Sequence, residues 1–74
     1  MSKAMVRWGS KKAFIAEYGE HYSDLFCEGD KWIVTAEDAD GNQYTPEVHT
    51  TKKSAYSDAH AVAKEIGATV LFVG

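Results

Sequence analysis

From Lys11 to Glu28 the chain separates its aromatic residues from its acids under one backbone period and mixes them under the other. Read as a strand, a single face would carry Phe14, Tyr18, Glu20, Tyr22, Asp24, Phe26 and Glu28, so the alternation fails. Read at about 100° per residue, Phe14, Ile15, Tyr18, Tyr22, Leu25 and Phe26 gather on one side, with Glu17, Glu20, Asp24 and Glu28 on the other. The segment is therefore expected to be one helix, with Ser10 and Gly29 as its caps. Gly19 inside it costs about 1 kcal/mol relative to alanine.

The remaining elements follow from that helix. Ala4–Trp8 can form a short strand ended by Gly9. Lys31–Ala36 and Gln43–His49 read as a hairpin around Asp38-Ala39-Asp40-Gly41-Asn42, in which Asp-Gly is the strongest turn signal. Pro46 has no N–H to give to a ladder, so the second strand of the hairpin is an edge or is bulged there. Thr50 or Thr51 caps a second helix whose stripe is Ala55, Ala59, Val62, Ala63 and Ile66, and Gly67 ends it. Ala68–Val73, β-branched and apolar, reads as a buried strand.

Strand, helix, strand, strand, helix, strand is the ferredoxin-like βαββαβ order. The expected fold is α+β: a small antiparallel sheet of three or four strands with two helices on one face. If the first strand does not form, αββαβ is the alternative. With 74 residues the chain is read as a single domain, 1–74, complete in itself. Trp32-Ile33-Val34, then Thr51-Lys52-Lys53 opening an alanine-rich helix before an apolar strand, resembles the ending of several small bacterial and phage domains, and the resemblance implies no particular activity.

Composition narrows the function classes. Net charge is −3, and Lys11–Lys12 and Lys52–Lys53 are the basic pairs, so direct nucleic-acid binding is the less favoured reading. A lone cysteine, Cys27, can form no internal disulfide, which points to a reducing, cytoplasmic setting. No apolar run reaches the ~20 residues of a membrane span. His21, Cys27, His49 and His60 lack the spacing of a zinc site, and Asp38-x-Asp40-Gly41-Asn42 lacks the rest of a calcium loop. The sequence shows no glycine-rich phosphate loop, no Ser/His/Asp signature and no cofactor motif, so the chain reads as a non-enzyme.

What remains is a row of carboxylates. Glu17, Glu20, Asp24 and Glu28 would lie about 5–6 Å apart along one helix face, with Asp30 extending the row and Glu37, Asp38 and Asp40 in the turn. Such a row suits an arginine- or lysine-rich partner. The leading expectation is a protein-binding inhibitor or modulator of phage or mobile-element type, imitating nucleic acid and docking on a larger protein or ribonucleoprotein with a basic surface. A second candidate surface is aromatic: Trp8, Trp32 and Tyr44 on an uncovered sheet face, with Lys31, Lys52 and Lys53 nearby. That surface suits RNA or a single strand. An uncovered sheet face also permits a homodimer.

Overall fold

The computed structural model of the chain describes residues 3–19 and 31–74. Their elements are β1 (Met5–Ser10), α1 (Lys11–Tyr18), β2 (Trp32–Glu37), β3 (Glu47–His49), α2 (Lys52–Ile66) and β4 (Thr69–Phe72). The fold is α+β in the expected βαββαβ order, and the first strand forms. The strands lie in the order β3-β2-β1-β4. Strand β2 is antiparallel to both β1 and β3, whereas β4 runs parallel to β1. The sheet is therefore mixed, not wholly antiparallel. The cause is the α2 crossover, which carries the chain from β3 at one edge to β4 at the other and returns it in the original direction.

Strand alternation sorts the sheet into two faces. Val6 and Trp8 of β1 and Val34 and Ala36 of β2 form one buried cluster with Ala55, Ala59 and Ala63 of α2. Trp32, Val62, Ile66, Ala68 and Val70 pack around it. The alanine stripe has no side chain beyond Cβ, so the helix axis comes close to the strands. Arg7, Gly9, Ile33, Thr35 and Glu37 point to the other face. There Tyr18 of α1 shares a cavity of about 160 Å³ with Arg7, Thr35, Ala36, Glu37, Gln43, Tyr44 and Pro46. Phe14 of α1 and Ile33 are fully buried outside the α2 cluster. The two helices thus lie on opposite faces, which corrects the expectation of both on one. Trp8 and Trp32 lie on the face that α2 covers, not on an uncovered one.

Helix α1 starts as expected: Ser10 is extended at its cap, and its hydroxyl accepts from the Ala13 amide at 3.2 Å. It ends earlier than expected. Gly19 has φ 108° and ψ 164°, a conformation open essentially to glycine alone, and its amide reaches back to the Ile15 carbonyl. Continuous helix from Lys11 to Glu28 is therefore excluded at Gly19, because side-chain periodicity carries no information about a single positive φ.

Strand β4 lies at the sheet edge, and Leu71 and Phe72 are about half exposed. The expectation of a strand buried on both faces fails there. Position, not composition, decides burial: among the described residues only β1 flanks β4, and the crossover covers little of it. At the hairpin, Gln43 bridges Glu37 before Pro46 breaks the ladder, leaving three residues in β3.

Two of the three turn acids, Asp38 and Glu37, take part in the fold. The Asp38 carboxylate accepts from the Asp40 and Asn42 amides, both at 2.9 Å, and from the Asn42 side chain at 3.2 Å. The Asn42 amide is the main reason its carboxyl lies below the ordinary aspartate value, with desolvation opposing and the other N–H donors assisting. Glu37 lies 3.9 Å from the Arg7 guanidinium, a loose pair of small worth.

Three measurements test this description. Gly19→Ala should lower stability in urea unfolding, by about 1–3 kcal/mol, because alanine is strained at that backbone geometry; a helix running through residue 19 would instead gain about 1 kcal/mol. Ala59→Leu should cost about 1–3 kcal/mol by forcing α2 off the sheet. The depressed Asp38 carboxyl implies a stabilising contribution present above the ordinary aspartate value and lost as pH falls through the lowered one. An NMR titration should find Asp38 ionising below that ordinary value, and Asp38→Asn should remove that part of the pH dependence.

Candidate functional site

One end of the sheet collects most of the polar and aromatic chemistry. Strands β1, β3 and β4 all finish there, and both helices begin there. The carboxyl ends of strands in an open sheet with covering helices are where ligands commonly bind. Lys11 and Lys12 open α1, Lys31 precedes β2, and Lys52 and Lys53 open α2. These are five of the eight basic residues in the chain. Helix N-termini add partial positive charge at the same end.

The aromatic residues sit beside them on the α2 face. Trp8 is buried and forms the hub of a cluster: its ring centroid lies 6.2 Å from Trp32, 5.5 Å from Tyr56 and 4.6 Å from Phe72. Register explains the grouping, since Phe72 is the β4 partner of Trp8, and Trp32 faces Ser10 across β1 and β2. Tyr56 and Phe72 remain about half exposed, and Trp32 is half-buried. The Lys52 ammonium lies 5.8 Å from the Trp32 centroid and 5.3 Å from that of Phe72, within cation–π range of both. A shallow groove lined by Ser10, Lys11, Lys12, Lys31 and Trp32 continues the surface around the end of the sheet.

A second grouping flanks this surface on the β3 side. His49, the last residue of β3 and the cross-strand neighbour of Trp32, places its Nδ1 2.7 Å from the Ser54 hydroxyl of α2. Its Nε2 lies 3.0 Å from the Asp58 carboxylate. Ser54 and Asp58 are one helical turn apart on α2 and so share its β3-facing side. Thr51 fixes that turn by accepting from the Ser54 amide at 3.1 Å.

The residues singled out in the sequence fare differently. Glu17 is exposed on α1, while Glu20, Asp24, Glu28 and Asp30 lie outside the described residues, as do His21 and Cys27. Glu17 is the one member of the carboxylate row on α1, which ends at Tyr18. Of the aromatic candidates, Trp8 and Trp32 are brought together, but Trp8 is buried under α2. Tyr44 is exposed in the loop before β3, beside the Arg7 cavity, apart from both. His60 packs tilted against Tyr56, with ring centroids 4.2 Å apart. Among the described residues no three His, Cys, Asp or Glu side chains gather closely enough to hold a metal ion. No helix there is long and apolar enough to cross a membrane.

Two groupings went unread in the sequence. Phe72 and Tyr56 join Trp32 through the β1–β4 pairing, which local pattern does not reveal. His49, Ser54 and Asp58 meet across a strand-to-helix junction, at separations of five and four that match no catalytic signature. The Thr51 cap, legible in the sequence, was the one clue that Ser54 would stand in a first turn beside the end of β3. Comparison with known protein families, curated proteins and solved structures finds no match for this chain.

Proposed function

We propose that this protein binds an unpaired nucleic-acid strand at the lysine-rich end of its sheet. The observation that carries the reading is Lys52 poised over Trp32 and Phe72, next to the groove of Lys11, Lys12 and Lys31. Proteins that hold single strands combine a cationic track for the phosphates with aromatic rings on which bases stack, and both parts adjoin here. In the bound state Lys52 turns from the rings to a phosphate, which uncovers the indole of Trp32 for stacking. The net charge of −3 does not forbid this. At physiological salt, charges more than about 8 Å apart are largely screened, so the lysines nearest the strand set the local attraction.

The acidic docking role of Glu17, Glu20, Asp24, Glu28 and Asp30 is a separate proposal, and Glu17 is exposed on α1. Its partner would be a basic protein surface, and the same assay separates the two. Fluorescence anisotropy with labelled single-stranded RNA and DNA should show binding that weakens with salt. Four engaged lysines correspond to a slope of log K on log salt of about −3. Trp32→Ala should weaken binding by about 5- to 150-fold, the worth of one stacked base at ~1–3 kcal/mol. Lys52→Ala should weaken it and reduce the slope, whereas Lys64→Ala, at the far end of α2, should change neither. An intact protein that ignores oligonucleotides even at low salt, yet captures a nuclease-resistant basic protein, would replace this reading with the acidic one.

A further inference from the structure

We propose that Ser54 is a nucleophile toward activated carboxylic esters, with His49 as its base and Asp58 as the residue that positions the base. A nucleophile within hydrogen-bond reach of a base, itself held by a third group, is the signature of covalent catalysis, and the contacts of 2.7 and 3.0 Å meet it. The inference stands apart from nucleic-acid binding and uses different side chains.

The chemistry of Asp58 fixes the direction of the relay. An ionised carboxylate accepts only, so the proton between Asp58 and the ring must sit on Nε2. In the neutral imidazole Nδ1 then carries a lone pair, and that lone pair faces the Ser54 hydroxyl. Serine hydrolases generally use the two nitrogens the other way round, but the roles are the same. His49 and Asp58 side chains are only 19% and 29% exposed, which limits competition from water for the Asp58 contact, while Ser54 is open to solvent. The backbone amides of Lys52 and Lys53, in the first turn of α2, have no intrahelical acceptor and can donate to a developing oxyanion.

The reaction balances without a further reagent. The Ser54 Oγ bonds to the ester carbonyl carbon, its proton passes to His49 Nδ1, and the carbonyl electron pair moves onto oxygen. Collapse of that intermediate breaks the bond to the leaving oxygen, which takes the proton from His49. The products are an alcohol and acyl-Ser54. Water then attacks the acyl carbon and gives a proton to His49, and Ser54 recovers it as the carboxylic acid leaves. Ser54 is exposed and lines neither of the two cavities described above, so the class assigned is small esters with a good leaving group.

The test uses p-nitrophenyl acetate on the full chain, following nitrophenolate release and mapping acetylated residues by peptide mass spectrometry. Acetyl on Ser54 is expected, formed at least tenfold more slowly in His49→Gln and Asp58→Asn. For Asp58→Asn the loss should fall in kcat with KM unchanged, and Asp58→Glu should restore part of it, neither of which a purely structural role predicts. Circular dichroism confirms that each variant is folded. Acetyl on lysines alone, or a Ser54 rate unchanged in Asp58→Asn, would overturn the proposal.

Discussion

Close approach between α2 and the sheet is the contact on which the rest of the molecule depends. Ala55, Ala59 and Ala63 present only methyl groups to Val6, Trp8, Val34 and Ala36. A domain this small has few buried residues to spare, and its burial is expected to be near the lower limit for independent folding. Because the helix seats low, one crossover of fifteen residues can touch all four strands. It also brings the first turn of α2 within side-chain reach of the ends of β2, β3 and β4. Lys52 over Trp32 and Ser54 against His49 are both consequences of that low seat.

Much of this architecture was legible because its causes are local. The α2 stripe, its Thr51 cap and its left-handed Gly67 are each a matter of residue type at a fixed offset, and all three form as read. The Asp38–Asn42 turn and the break at Pro46 belong to the same kind. The failures have a different physics. Gly19 ends α1 through its own backbone angles, to which the periodicity of its neighbours is blind. Burial of β4 depends on which strands flank it, and an apolar run reads the same at a centre and at an edge. The helices fall on opposite faces because of how each connection leaves the sheet.

The sites divide along the same line. Lysines and aromatics could be counted in the sequence, but their convergence required the parallel β1–β4 pairing, which sets Phe72 beside Trp8, and the α2 crossover, which sets Lys52 above both Trp32 and Phe72. The acids of the row stood out by their helical spacing, and of them only Glu17 is among the described residues. In the turn, the Asp38 carboxylate is bonded to the amides of its own turn.

The outer edge of β4, with which no strand among the described residues pairs, has a consequence for the molecule in bulk. Thr69–Phe72 carries no charge and no proline, the features that normally discourage one sheet edge from pairing with another. Repulsion between copies must then come from the chain as a whole, whose net charge is −3 at pH 7 and vanishes near pH 5.5. Colloidal behaviour is therefore tied to acidity: mildly acidic, concentrated solutions remove the long-range barrier while leaving the apolar edge in place, and strand-to-strand association begins there.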